Sequence, residues 1–277
     1  MSLFACSLNS GSNGNCYYIG SAHNAVLVDA GLSCRETEKR MRECGLSMLK
    51  VRAVFISHEH SDHIKGIERL SAKYGIPVYI SQLTLKHSRL NIPASQVNEI
   101  FDEEKVELHE MDIIPFRKFH DAADPFSFII SYKGITIGIF TDLGRVCKKL
   151  IHHFSKCHAA FLESNYDAEM LESGPYPLHL KNRIKSGNGH LSNKQALQLF
   201  IRHRNKQLSH LFLAHLSNEN NSPALVENLF NKHTLNTRII IASRFNSTHV
   251  YEICPGIMKG KAEGIIPLRR GTQFQMF

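Results

Sequence analysis

The chain has 277 residues, of which 43% are hydrophobic and 21% charged, and it contains no tryptophan. These values exclude a disordered, fibrous or disulfide-stapled protein, and the length suits one large globular domain. The 33 lysines and arginines against 25 acidic residues give a formal net charge of +8, which favours anionic partners without identifying them.

Three runs of strand-forming residues open the chain, over residues 3–8, 16–19 and 25–28, and a polar turn with Gly11 and Gly14 separates the first two. Ser33 and Glu36 predict a capping box, in which side chain and backbone groups bond reciprocally at the start of a helix. We expect that helix from Cys34 to a stop at Gly45, followed by a buried strand over 51–57.

Helix and strand patterns alternate over the remaining residues. Helices are predicted over 64–74, 83–90, 146–154 and 193–204, and from Pro223 onward. Strands are predicted over 78–80, 106–108, 113–119, 126–132, 135–140, 159–162, 210–214 and 238–241, with an antiparallel ladder between 106 and 140. We expect sheets covered by helices, in one domain over 1–254, and an irregular basic tail over 255–277.

The cysteines and the N-terminal composition bear on the cellular compartment. The seven cysteines include no C-x-x-C pair, so we expect free thiols. The first 34 residues contain no lysine or arginine, unlike a secretory signal, and no apolar run reaches the ~18 residues of a membrane span. We therefore expect a cytoplasmic protein without a membrane partner.

A dense cluster of metal-binding side chains follows the strand predicted over 51–57. Residues 58–63 read His-Glu-His-Ser-Asp-His, which places three imidazoles and a carboxylate (His58, His60, Asp62 and His63) at the end of a strand. Zinc, manganese and iron accept such nitrogen and oxygen ligands. Without a cation, the same groups would crowd one another at a cost in free energy. The pattern predicts a metal site.

A basic stretch lies in the C-terminal half. Residues 173–218 contain no aspartate or glutamate but seven lysines and arginines, among them Lys181, Arg183 and Lys185. Such a run is typical of a solvated surface, and it also suits contacts with phosphate groups.

The string His-x-His-x-Asp-His, together with Val28-Asp29-Ala30-Gly31, resembles the signature of the metallo-β-lactamase fold superfamily. Later landmarks of that family occur in order: His120, Asp142 in Phe140-Thr141-Asp142-Leu143-Gly144, and His215 in Leu213-Ala214-His215. The resemblance implies an α/β fold, a four-layer αββα sandwich of two mixed sheets with helices outside.

The same resemblance implies two divalent metal ions per chain, either zinc or manganese, with iron also suitable. It places His58, His60 and His120 on one ion, Asp62, His63 and His215 on the other, and Asp142 on both. It makes Asp29 a support for the ligand loops. Aspartate at position 142, where zinc lactamases commonly have cysteine, favours oxygen-rich sites and phosphodiester substrates.

Gly189-His190-Leu191-Ser192-Asn193 resembles the histidine motif of phosphodiesterases of this superfamily, with Glu163 matching a glutamate that orients the histidine. Ser192 and Gln195 also form a capping box by pattern. Only 48 positions separate Asp142 from His190 (190 minus 142), too few for the extra domain of the β-CASP ribonucleases. The motifs together are most similar to the compact bacterial WalJ/YycJ group, which implies 5′-to-3′ exonuclease activity on DNA.

We therefore expect a metal-dependent phosphodiesterase in which Asp62 and His190 are catalytic and Lys181, Arg183 and Lys185 contact nucleic acid, with DNA favoured over RNA. Three alternatives stay open. They are a hydrolase of a small ester, thioester or cyclic phosphodiester, an RNA-processing nuclease, and a nucleic-acid-binding module in which metals only hold loops together.

Overall fold

A computed structural model describes residues 2–255. The tail expected over 255–277, with Lys259, Lys261, Arg269 and Arg270, therefore lies outside the described residues beyond its first position. The described strands are β1 (Leu3–Asn9), β2 (Cys16–Gly20), β3 (Ala25–Val28), β4 (Val51–Phe55), β5 (Val78–Ile80), β6 (Val97–Glu99), β7 (Val106–Leu108), β8 (Met111–Arg117), β9 (Phe126–Tyr132), β10 (Ile135–Phe140), β11 (Ala159–Glu163), β12 (His210–Ala214), β13 (Arg238–Ile241) and β14 (Tyr251–Ile253).

Helices connect many of these strands. They are α1 (Cys34–Glu43), α2 (Ser61–Ile64), α3 (Ile67–Tyr74), α4 (Gln82–Ser88), α5 (Lys148–Phe154), α6 (Ala168–Ser173), α7 (Leu178–Lys185), α8 (Asn193–His203) and α9 (Pro223–Asn231), with 3-10 turns at Met48–Lys50 and Ala94–Gln96. Within the described range, no helix is both long enough and apolar enough to span a membrane.

The strands form two mixed sheets of seven with the same pattern of directions. The first has the order β14-β1-β2-β3-β4-β5-β6 and the second β13-β12-β11-β10-β9-β8-β7. In the first sheet the pairs from β14 to β3 are antiparallel and those from β3 to β6 are parallel. In the second, the predicted ladder from β7 to β10 is antiparallel, and the pairs from β10 to β13 are parallel.

The two sheets pack face to face, and helices cover their outer faces. Alternate strand residues such as Tyr17 of the first sheet and Phe161 of the second fill a shared central core, with ring centroids 5.0 Å apart. Helices α1 and α3 cover the outside of the first sheet, and α5, α8 and α9 cover the second. This is the expected four-layer αββα sandwich, whose strands are buried on both faces.

Several element boundaries differ from the predictions. The helix expected over 64–74 is divided into α2 and α3, because the Gly66 amide donates to the Ala30 carbonyl (2.8 Å) outside the helix. At α1, the Ser33 hydroxyl accepts from the Glu36 amide, but the Glu36 carboxylate bonds Arg40 Nε (2.8 Å), so only half of the predicted capping box forms. Strands β6 and β14 and helices α6 and α7 were not predicted from the sequence.

Candidate metal centre

Most of the predicted ligands, and the supporting Asp29, lie where parallel strands end, whereas His120 follows the antiparallel strand β8. Asp29 follows β3, the segment 58–63 follows β4, Asp142 follows β10, and His215 follows β12. The C-terminal ends of parallel strands are the usual place for ligand sites in α/β sheets, because loops from different strands converge there. Here loops from both sheets meet at one edge of the sandwich.

The structure brings the predicted ligands into two neighbouring clusters. One contains His58, His60 and His120, and the other contains Asp62, His63 and His215, with candidate ligand atoms inside each cluster within 4.8 Å of one another. Asp142 lies between them: its carboxylate oxygens are 3.8 Å from His120 Nε2, 3.4 Å from His63 Nε2 and 3.4 Å from His215 Nε2. Metal coordination by these seven residues stays a prediction.

Hydrogen bonds on the far side of the rings fix which nitrogen faces the clusters. Ser57 donates its hydroxyl proton to Asp29 (2.9 Å), so His58 Nδ1 donates to Ser57 Oγ (2.8 Å) and its Nε2 lone pair points inward. His63 Nδ1 donates to Asp29 (2.7 Å), and His120 Nδ1 donates to the Gly189 carbonyl (3.1 Å). Anchoring of one ring nitrogen by a carboxylate, hydroxyl or carbonyl group, with the other nitrogen turned toward the clusters, is typical of metal-binding histidine.

Buried polar atoms without partners point into the same space. Among the described residues, the buried atoms that lack a hydrogen bond include His120 Nε2, His215 Nε2 and Asp142 Oδ2. Leaving such groups unsatisfied costs free energy, and all three are donor atoms that divalent metals accept. The residues present therefore fit metal ions at this site.

Charge in the site is unevenly distributed. Burial disfavours the charged form of His63, but the carboxylates of Asp29, Asp142 and Asp62 outweigh it and raise its pKa to about 10. Burial lowers the pKa of His120 to about 4 and that of His58 well below its ordinary value. His58 and His120 thus present neutral imidazoles, and the surroundings of His63 attract positive charge.

Three residues of the site have a backbone conformation that is rare for residues other than glycine. Asp29, Asp142 and His215 have φ values of 61°, 54° and 55°, in the left-handed region that residues other than glycine seldom adopt. Gly31 is required for a different reason, because a β-carbon there would lie 1.6 Å from the Asp62 carbonyl oxygen. Such concentrations of strain are maintained by surrounding contacts at functional sites.

Glu163 and His190 lie beside the clusters. The buried carboxylate of Glu163 accepts from His190 Nδ1 (2.7 Å), and it also accepts from His215 Nδ1 (3.1 Å) and the Leu143 amide (2.7 Å). Burial raises the pKa of Glu163, but the positive charge and hydrogen bonds of His190 and His215 outweigh it and lower the pKa to about 2. Glu163 therefore positions more than the one histidine that the sequence indicated.

The predicted phosphate contacts lie on α7, which a short turn connects to His190. Arg183 forms an ion pair with Asp121, the residue after His120, so this helix adjoins the site. Lys185 pairs with Glu172, and Lys181 donates to the Glu172 carbonyl (2.6 Å). Their contact with nucleic acid stays a prediction.

Three further residues at the site were not singled out by the sequence reading. Asn15 Nδ2 donates to Asp62 (3.1 Å), which gives the polar turn before β2 a role in holding that carboxylate. Lys118 is buried and donates to the Thr141 carbonyl (2.8 Å), and burial lowers its pKa. Asp121 Oδ1 is buried 3.4 Å from His120 Nε2. Only the proximity of Lys118 and Asp121 to His120 in the chain could have indicated them.

Sequence comparison identifies relatives along most of the chain. The sequence model of a family described as "Beta-lactamase superfamily domain" matches residues 24–214. The chain is 36% identical over 229 residues to a Bacillus anthracis protein named Exodeoxyribonuclease YycJ, covering 81% of this chain and 86% of that protein. It is 34% identical over 219 residues to Exodeoxyribonuclease WalJ of Streptococcus pneumoniae, covering 77% and 81%.

Structural comparison agrees with the fold. The metallo-β-lactamase fold protein YhfI from Bacillus subtilis superposes with a TM-score of 0.70 at 16% identity, covering 91% of this chain and all of that one. The same fold is thus reached with few shared residues. The chain belongs to the metallo-β-lactamase superfamily and is a metal-dependent hydrolase of that fold.

Proposed function

We propose that this protein is a dinuclear phosphodiesterase that degrades DNA in the cytoplasm from the 5′ end. The observation that carries the proposal is the position of His190, whose Nδ1 is anchored to buried Glu163 and lies 4.0 Å from Asp142. An imidazole held beside the ligand clusters suits transfer of a proton to a leaving oxygen. The names of the two exodeoxyribonuclease relatives support DNA as the substrate.

The donor set favours a phosphodiester over an acyl substrate. Asp62 and Asp142 contribute carboxylate oxygens, and the chain offers no thiolate among the grouped ligands of the described residues. Imidazole nitrogens and carboxylate oxygens without a soft thiolate hold metal ions that accept the hard oxygens of phosphate. Two divalent ions, when bound, activate a water molecule and neutralise negative charge on the phosphate. Zinc and manganese both suit these ligands.

The side chains then divide the proton transfers. Asn15 holds Asp62, which is more exposed than Asp29, Asp142 and Glu163, in a position to orient the attacking water and accept its proton. Glu163 accepts from His190 Nδ1, which fixes the ring so that Nε2 can give a proton to the leaving sugar oxygen. Arg183, Lys181 and Lys185 on the adjoining helix hold the phosphates on either side.

The test uses duplex DNA labelled at the 5′ or the 3′ end and protein loaded separately with manganese and with zinc. We expect progressive release of nucleotides from the 5′ end. Asp142→Asn is the control, because asparagine tolerates the left-handed backbone and the change removes only the charge. Absence of release in both metals, with two ions per chain confirmed by elemental analysis, would contradict the proposal and favour RNA or a small ester.

A further inference from the structure

An exposed aromatic ring with a guanidinium group over it lies at the edge of the metal centre. The Arg145 guanidinium carbon is 3.7 Å from the centroid of the Phe119 ring, and Phe119 is 37% exposed. The described residues include two other exposed phenylalanines, Phe101 and Phe245, and neither has a cation over its ring. The pair is therefore distinct from an ordinary exposed side chain.

The pair is placed where three loops of the site meet. Phe119 directly precedes His120, and its carbonyl accepts from the Gly144 amide (2.6 Å), next to Arg145. A β-carbon on Gly187, in the turn before His190, would lie 3.7 Å from Arg145 Cδ. The ring thus adjoins the segments that carry His120, Asp142 and His190.

We propose that Phe119 and Arg145 form a base-stacking subsite, which receives the base of an unpaired nucleotide next to the scissile phosphate. Aromatic rings and guanidinium planes are the surfaces on which proteins stack unpaired bases, and stacking of this kind tolerates any base. The positive charges of Arg145 and Arg183 complement the flanking phosphates. A base must leave its neighbours to stack here, so the substrate is single-stranded DNA or a frayed end. This inference rests on the proposed function and specifies its substrate.

The test compares Phe119→Leu, which keeps apolar bulk, with Phe119→Trp, which keeps an aromatic face. The substrates are a single-stranded 12-nucleotide DNA and four versions with one abasic residue at each of the first four positions from the 5′ end. Both kcat/KM and the Kd are measured, the latter by stopped-flow fluorescence of 2-aminopurine before turnover. On intact DNA, Phe119→Leu should lower kcat/KM, raise the Kd, or do both, by about 10- to 100-fold. Phe119→Trp should restore the wild-type values.

The abasic substrates separate stacking from a structural effect. At one of the four positions, removal of the base should impair kcat/KM or the Kd of the wild type by about the same factor as Phe119→Leu does on intact DNA. On that abasic strand, Phe119→Leu should cause a further loss of less than about twofold. Arg145→Lys keeps the positive charge but removes the planar guanidinium group. The loss that it causes should also be smaller on that abasic strand than on intact DNA, by a lesser factor than for Phe119→Leu. Phe101→Leu is the matched control, with metal content measured for every variant.

Each outcome decides one of the two proposals. Equal losses from Phe119→Leu on intact and all abasic strands overturn the subsite. Cleavage of DNA without coupling overturns the subsite and leaves the proposed function standing. Binding with coupling but no release of nucleotides overturns the proposed function and leaves the subsite standing. Absence of both binding and cleavage overturns both.

Discussion

The Glu163–His190 pair can be separated experimentally from the metal ligands. His190 is anchored at 2.7 Å to a carboxylate that also holds His215 and the Leu143 amide, so the ligand loops retain their support when the His190 ring is removed. We expect His190→Ala to keep its metal content and to lose ~10²–10⁴-fold in kcat, because only proton transfer to the leaving oxygen is removed. Steady-state rates and elemental analysis of the purified variant check this.

The matched control is His87→Ala, which removes an exposed histidine near the end of α4. Its rate and metal content should equal those of the wild type. Unchanged turnover in His190→Ala with a full metal load would exclude this residue from the mechanism.

The ease of predicting each site residue depended on how local its signal is. The segment 58–63 concentrates four chemically distinctive side chains in six positions, and the structure places them in the two clusters. Lys118 gave no such signal, because a single lysine is common on surfaces and its contact with the Thr141 carbonyl spans 23 positions of the chain. Asn15 likewise depends on a contact across 47 positions with Asp62.

Among the secondary-structure elements, the long apolar ones were predictable and the short or exposed ones were not. Helix α7 has no buried residue, so it lacks the apolar periodicity by which a helix is recognised. Strand β14 has three residues and pairs with β1 at the other end of the chain, as in Leu3 opposite Ile253. Its existence depends on a tertiary contact that no local pattern encodes.

The loops of the site are packed so closely that one glycine can be tested as a structural requirement. A β-carbon on Gly144 would lie 2.3 Å from the Gly187 carbonyl oxygen and 2.4 Å from Asn188 Cα, and backbone atoms cannot rotate away. We expect Gly144→Ala to destabilise the protein by about 1–3 kcal/mol and to lower activity by displacing the Asp142 loop. Thermal unfolding measures the first effect.

Gly187→Ala, on the facing loop, is the control, since its nearest neighbour would be 3.7 Å away. It should leave the melting temperature within about 1–2 °C of the wild type, given ~0.5 kcal/mol for tolerated surface changes. Equal stability of the two variants would show that the loops are not rigidly packed.

Strand β12 begins with a buried histidine that should make stability depend on pH. Burial, with a smaller contribution from Arg238, lowers the pKa of His210 to about 4, below the ~6.5 of an unfolded chain. Between these values the unfolded state binds a proton that the folded state excludes, so stability is complete above pH 6.5 and falls as the pH drops toward 4. Melting temperatures of wild type and His210→Gln from pH 7.5 to 4.5 test this: the wild type should lose more stability over that interval, and parallel curves would contradict the assignment.

The whole molecule repeats one arrangement twice. Each sheet has three antiparallel pairs followed by three parallel pairs, although no repeat is visible in the sequence. The parallel halves bring the C-terminal ends of β4, β10, β11 and β12 to the edge that holds the metal centre, and the opposite edge holds the turns that lead into those strands. A net positive charge attracts DNA to any part of the surface. A specific contact must instead depend on which lysines and arginines lie at the edge that holds the metal centre.

Salt dependence of DNA binding can make that distinction. Replacing Lys181, Arg183 and Lys185 with alanine removes three cations beside His190, two of which are held by Asp121 and Glu172 in ion pairs that are exposed and therefore weak enough to be exchanged for phosphate. Because each phosphate contact adds about 0.9 to the slope of log K against log salt concentration, we expect the slope to fall by about 1–3.

The control removes the same charge at the opposite edge, where Lys156, Lys206 and Lys232 are exposed just before β11, β12 and β13. Titrations of labelled DNA at four salt concentrations should leave the control slope near the wild-type value. If both triple variants change the slope equally, net charge alone explains the affinity and α7 does not contact the substrate; if only the α7 variant does, the DNA lies across the same edge that holds the ligand clusters.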